Sequence, residues 1–484
     1  MPRLDFDFAA AARQEMIDHG FSPGFPPEAD AQIHALEARG AAAAGGDVRD
    51  LRNLLWSSID NDTSRDLDQI EYAERVANGI RVLVGVADVD SGVAAGSPID
   101  QHAASQTTTV YAIAETFWMI PERLCTGLTS LNENEDKLAM VVDMVVAADG
   151  SIASSAIYPA LVRNRAQLTY NATGSWLEGK AAAPPKIAAS LELQEQLKLQ
   201  DEAAQALREA RHRLGALDFD RVEAEAVVSD GQVHGITAHQ KNRATELIED
   251  FMIAANETMA RTLASAGVTA IRRVVKTPER WPRIVELAAG YGDRLPAEPD
   301  SAALNVFLQK RKADDPVHYA DVSLAVIKLM GPGEYVVSRP GDDNTGHFAL
   351  AAHDYTHSTA PNRRFADLVT QRLIKAALAK RQSPYPDGAL ASIATNCTLK
   401  EDAARKVERA MHKRFAAAAM VDRVGQEFSG VVTGVTPKGV FVRVLDPPVE
   451  GRLMRGEQGL DVGDRVRVKL LSADPRRGFI DFGR

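Results

Sequence analysis

Ser58–Glu71 reads SIDNDTSRDLDQIE and crowds Asp60, Asp62, Asp66 and Asp68 into one short span. Carboxylates that close repel one another unless positive charge sits among them. Oxygen-only donors suit a hard cation such as magnesium, manganese or calcium. Asp66 and Asp68 are two apart and point to one side of an extended segment. Asn61, Thr63 and Ser64 favour a turn that folds Asp60 back toward them. The stretch reads first as a metal site.

A calcium loop competes with that reading. Counting from Asp60, Asp62 falls third, Ser64 fifth, Asp68 ninth and Glu71 twelfth, but the sixth position is Arg65, where the sharp turn needs glycine. Such a loop also needs a helix on both sides. VRDLRNLLWSSI before it has a helical pattern, whereas IRVLVGVAD after it is β-branched and reads as a strand. A solvated acidic turn without metal is the other rival.

Downstream, LAMVVDMVVA and SIASSAIYPALV flank Asp149-Gly150 as a hairpin. Between the first strand and this hairpin lies an aromatic-bearing irregular segment, TTTVYAIAETFWMIPERLCTGLTSLNENE, of a length often tied to function. Two amphipathic helices follow, one through Leu193, Leu197, Ala204, Leu207 and Leu214, the other over Glu246–Ala264. Upstream, two helices at about Phe6–His19 and Pro27–Arg39 flank a Pro/Gly turn, and Ala41–Gly46 reads as a linker.

In YTHSTAPNRRFADLVTQRLIKAAL a helix is expected to begin near Pro361, which sets Arg363 and Arg364 in its first turn. Cations there oppose the helix dipole. Either a bound anion or a salt bridge to Asp367 would remove the conflict. His347, His353 and His357 match no zinc spacing and read as loop or core residues. DAARKVERAMHKRF reads as a helix with a charged, solvated face. The last 60 or so residues alternate as five short strands, the pattern of a small OB-type barrel, with Phe428 and Phe441 as candidate stacking groups.

At 484 residues, with 45% hydrophobic and 25% charged residues, the chain has the composition of a multi-domain globular protein. No run is long enough to span a bilayer. MPRLDFDF lacks the basic start and apolar core of a signal peptide, and Cys125 and Cys397 alone imply no disulfide framework. A cytoplasmic location is expected. The net charge of −10 argues against non-specific coating of nucleic acid but allows a basic channel inside an acidic shell.

Together SIDNDTSRDLDQ, GSPIDQHAASQTTTVYAIAETFWMIPERLCTGLTSLNENEDKLAMV, LIEDFMIAAN and YTHSTAPNRRFADL resemble the ribonuclease II family, built on an RNB catalytic domain and closed by an S-one type OB-fold. The resemblance implies an α+β fold with helices and a mixed sheet around an RNA channel. It implies a helical unit over 1–50, an RNB domain over 51–424 and the barrel over 425–484. It implies a hydrolytic exoribonuclease that degrades single-stranded RNA 3′ to 5′, releases nucleoside 5′-monophosphates and uses Mg2+, with Mn2+ as an alternative. Asp60, Asp66 and Asp68 match the family's metal and catalytic acids, and Arg363 and Arg364 its basic pair, Arg363 facing the scissile phosphate. Tyr111 and Tyr170 match its RNA-contacting tyrosines, and Glu249 and Glu408 acids that border the RNA. No membrane and no obligate protein partner are expected.

Three departures stand against the family pattern. Gln69 replaces a fourth aspartate, leaving Asp62 as the candidate to supply the charge, and Asn362 replaces an apolar residue before the arginines. With only about 50 residues ahead of the catalytic domain, paired cold-shock domains are expected to be missing, which would widen the entrance toward structured RNA. The competing expectation is an RNA-binding or regulatory protein on a degenerate RNB fold, inactivated at Gln69.

Overall fold

The computed structural model describes residues 6–39, 47–220, 223–229, 232–239, 241–316, 319–342, 346–444 and 446–484. The linker expected at Ala41–Gly46 lies outside them. A strand at Trp56–Asp60 pairs in parallel with the 18-residue strand Ile152–Thr169 and, at Ser57, antiparallel with Gln69–Val76. Gly79–Ala87 and Asp136–Val146 continue the sheet, and Asp136–Val146 pairs back onto Ile152–Thr169, so the pairing returns on itself. The near-continuous apolar run of Gly79–Ala87 is explained by burial on both faces.

The helix expected over VRDLRNLLWSSI is absent. Arg49–Asp50 is a short strand and Trp56–Asp60 a longer one, with a turn between. Trp56 is fully buried and its Nε1 donates to the Leu51 carbonyl at 2.8 Å. Serines and isoleucine are weak helix formers, so a ladder with a buried partner strand overrides the local pattern. The Asp149-Gly150 turn forms as expected. Gly150 has φ +79°, and a Cβ there would strike the Ala206 carbonyl.

Helices Leu191–Arg213 and Arg243–Ser265 pack on the sheet, each close to its expected span, although Leu214 lies just past the first and is exposed. Asn242 starts the second helix with a capping box. Asn242→Ala is expected to lower stability by about 1 kcal/mol, seen as a lower denaturant midpoint at unchanged slope. Helices Trp281–Gly290, Ser301–Asp314 and Tyr319–Met330 form a separate cluster around Trp281, Leu304, Phe307 and Tyr319.

Among the described residues the two N-terminal helices, Phe8–Asp18 and Pro27–Arg39, share no core of their own. Ala12, Met16 and Phe21 pack against Val407, Met411 and Phe415, whereas Ala29 and Ile33 join the sheet core. Such packing makes them a cap on the sheet and the C-terminal long helix.

The charged helix after Glu401 is the second half of Asp387–Met420, 34 residues long. Its last turn enters the C-terminal barrel, where Ala417 and Met420 pack with Val432, Val442, Leu453 and Phe482. The barrel closes through five strands between Glu427 and Gly483. Among the described residues no helix is long and apolar enough to cross a membrane.

Candidate active site

Asp60 ends its strand opposite Thr169 of the parallel neighbour, and this register brings Asp60 and Tyr170 to one edge of the sheet. The turn folds as its residues demand: Asp60 Oδ1 accepts from the Asn61 N–H and the Ser64 hydroxyl, both at 2.7 Å. Beyond it, Ser130 Oγ accepts from the Leu67 N–H at 3.0 Å and the Asp68 carbonyl from the Ala87 N–H at 2.9 Å. These bonds keep Asp66–Asp68 extended.

Asp68 is buried and accepts from the Asn362 N–H at 3.2 Å and from Arg363 Nε at 3.1 Å. Burial pushes its carboxyl up to about 7 against the pull of the guanidinium, and the Asp66 charge adds to the rise. Asp66 is also raised, chiefly by burial, and accepts from the Tyr111 hydroxyl at 3.1 Å.

The helix expected from Pro361 begins at Phe365, with Arg364 as its N-cap, so Pro361–Arg364 is a turn ahead of it. The two arginines part company there. Arg364 turns inward and donates to Asp367 Oδ1 at 2.7 Å, the salt bridge that competed with an anion in the sequence. Arg363 meets Asp68 through Nε while its side chain stays 46% exposed, which leaves the terminal nitrogens accessible. Main-chain bonds from Thr109 N–H to the Arg363 carbonyl at 3.0 Å and from Phe365 N–H to the Thr107 carbonyl at 2.8 Å tie this turn to the segment leading into the short antiparallel pair Val110–Tyr111 and Thr116–Phe117.

Tyr111 is 40% exposed. Glu408, expected to border RNA, accepts from the Tyr111 N–H at 3.2 Å and so holds that main chain in place. Tyr170 is half-buried at the start of helix Tyr170–Leu177. Glu249 pairs with Lys241 at 2.7 Å and lines a cavity of about 440 Å³. Arg208, Arg211, Phe219 and Thr245 line the same cavity, and none of them stood out in the sequence. Their one local signal was the three-residue spacing of Arg208 and Arg211, which sets both on one helix face against Asp250.

Gln69 is buried, and Asp62 is exposed and accepts from Asn171 Nδ2 at 2.7 Å, which commits it to the Tyr170 helix. Asn362 is fully buried, and its Oδ1 accepts from the Thr129 hydroxyl at 2.6 Å, a bond the apolar residue could not make. Among the described residues no three acidic, imidazole or thiol groups already converge as a metal-holding cluster. The donor chemistry nevertheless fits a hard cation. Asp60, Asp66 and Asp68 all offer carboxylate oxygens, and beyond burial the Asp60 charge pushes Asp66 up and the Asp66 charge pushes Asp68 up, while Arg363 pulls both down.

In the barrel Phe428 is core, packed edge-on against Phe482, and cannot stack on a base. Phe441 lines a groove of about 790 Å³ between barrel and long helix, with Arg409, Lys413, Lys438, Arg452 and Phe479. His347 and His357 contact Tyr355, and His357 also meets Tyr335, as core residues do.

Residues 48–380 match the RNB domain and residues 426–484 the RNase II-type exonuclease C-terminal S1 domain. Ribonuclease R 1 of Lactococcus lactis is 30% identical over 90% of this chain, and the chain spans 56% of that relative's length. The structure of Mycoplasma genitalium RNase R in complex with ribose methylated single-stranded RNA superposes with a TM-score of 0.87 at 22% identity, over 99% of this chain and 78% of that one. Yeast Ssd1, a pseudonuclease, superposes at 0.69 and 18% identity, over 92% of this chain and 56% of its own. At those identities the likenesses speak for the fold, whereas the RNB match runs through both the acidic turn and the arginine turn: this chain belongs to the RNB-domain family of RNase II-type proteins.

Proposed function

We propose that the protein is a metal-dependent exoribonuclease that hydrolyses single-stranded RNA from its 3′ end and releases nucleoside 5′-monophosphates. The observation that carries this reading is the Asp68–Arg363 pair: a buried acid held at 3.1 Å from a half-exposed guanidinium, with Asp66 and Tyr111 beside it. Mg2+ or Mn2+, held by Asp60, Asp66 and Asp68, would make water a stronger nucleophile and screen the phosphate.

The chain's own groups supply the rest. Arg363 presents its terminal N–H groups to the phosphoryl oxygens, where charge grows in the transition state. Asp68 fixes that guanidinium through Nε. Tyr111 and Tyr170 orient the last nucleotides by stacking, which tolerates any base. Phe219 offers a further aromatic face in the cavity beside Glu249. The groove of Lys438, Phe441 and Arg452 takes the upstream strand. Glu408 and Arg364 are positioning residues in this scheme, acting through Tyr111 and Asp367.

The test is a 5′-labelled single-stranded RNA incubated with protein and Mg2+. A ladder shortening from the 3′ end, mononucleotide products and suppression by EDTA are expected. Tight binding without turnover would overturn the enzymatic reading and place the chain with degenerate RNB folds.

A further inference from the structure

The strand that follows the acidic turn carries an acid that the scheme above leaves unused. Glu71 is fully buried, and among the described residues neither carboxylate oxygen has a hydrogen-bond partner. A buried carboxylate with no donor is a heavy cost, and folds carry such groups where a ligand or a function compensates them.

Its position is informative. Gln69–Val76 is extended, so Gln69 and Glu71 share one face of the strand. Glu71 pairs across the sheet with Ser57, whose strand ends at Asp60. Gln200, from helix Leu191–Arg213, reaches Ser57 Oγ through Nε2 at 3.5 Å, and its Oε1 also lacks a partner. Oxygens without donors therefore gather between sheet and helix. Burial, and after it the charge of Asp60, pushes the Glu71 carboxyl well above its usual range, and Tyr170 feels both acids. An acceptor-rich place flanked by a second acid is suited to a cation.

We propose that Glu71 supplies the negative charge that Gln69 leaves out, and with Asp60 draws a divalent cation to the Gln69 face of the acidic turn. The acid is displaced by one strand repeat from the position where the family pattern has its fourth aspartate. This inference rests on the metal-dependent reading above.

The experiment uses the full chain stripped with EDTA and titrated with Mn2+ by calorimetry, with thermal melting at each metal concentration. Glu71→Gln is expected to melt no lower than the unaltered protein in EDTA, since the acid it replaces has no hydrogen-bond partner to lose. Its Mn2+ affinity should fall about 10–100-fold, the range seen when a partner of a metal site is removed. Its Mn2+-induced rise in Tm should shrink. Adding Gln69→Asp to Glu71→Gln should restore the affinity by returning the charge one repeat earlier. Equal Mn2+ affinity in Glu71→Gln and the unaltered protein would overturn the proposal. So would a loss that Gln69→Asp fails to rescue, since that result describes a packing defect. Failure of the unaltered protein to bind Mn2+ or Mg2+ at all would instead overturn the metal-dependent reading on which the proposal stands.

Discussion

Asp68→Asn is expected to abolish hydrolysis, lowering single-turnover rates by more than about 10³-fold, beyond what removal of one electrostatic donor costs. The substitution keeps shape and burial but removes two things together: a charge from the cation site and the anionic acceptor that aims Arg363 Nε at 3.1 Å. RNA affinity, read by fluorescence anisotropy, should stay within about threefold, because a neutral amide withdraws no group from the strand. Stability should not fall, since the buried carboxyl is itself disfavoured in its charged form. Near-normal turnover in the variant would remove Asp68 from the chemistry altogether.

Arg363→Ala is expected to lower the catalytic rate by about 10²–10³-fold, with substrate binding weakened far less. The reason is differential. The guanidinium meets the phosphate in both ground and transition states, but the oxygens gain charge only as the bond to water forms. Arg363→Lys should recover part of the rate and no more, because an ammonium lacks the planar fork that can bond Asp68 and phosphate at once. The alanine variant should also leave Asp68 buried without its ion pair, so some destabilisation accompanies the rate loss. A variant with weaker binding and an unchanged rate would make Arg363 a positioning residue.

The acidic turn was legible because its information is local. Carboxylate spacing, turn-forming neighbours and a β-branched run after Gln69 are properties of adjacent residues, and the structure folds Asp60 and Ser64 together accordingly. The barrel was legible for the same reason, since strand alternation and turn residues repeat over a short segment. Local pattern failed where a distant partner decided the outcome. Trp56–Asp60 became a strand because Ile152–Thr169 supplied its ladder, and Phe428 became core because the barrel closed over it.

The roles of the site residues lay further out of reach. Arg363 and Arg364 are neighbours with the same side chain, and only packing sends one to Asp68 and the other to Asp367. Glu408 aligned with acids that border RNA, and no spacing along the chain showed that it meets the main chain of Tyr111, 297 residues earlier. Glu71 looked like the last position of a calcium loop, and its missing partners appear only when sheet and helix close around it. By itself the sequence determined which residues bear charge, which segments extend and which family the pattern resembles. The tertiary structure decided which charges meet and which are stranded, because the strength of an ion pair and the cost of an orphan both depend on distance and burial, and neither is a property of spacing along the chain.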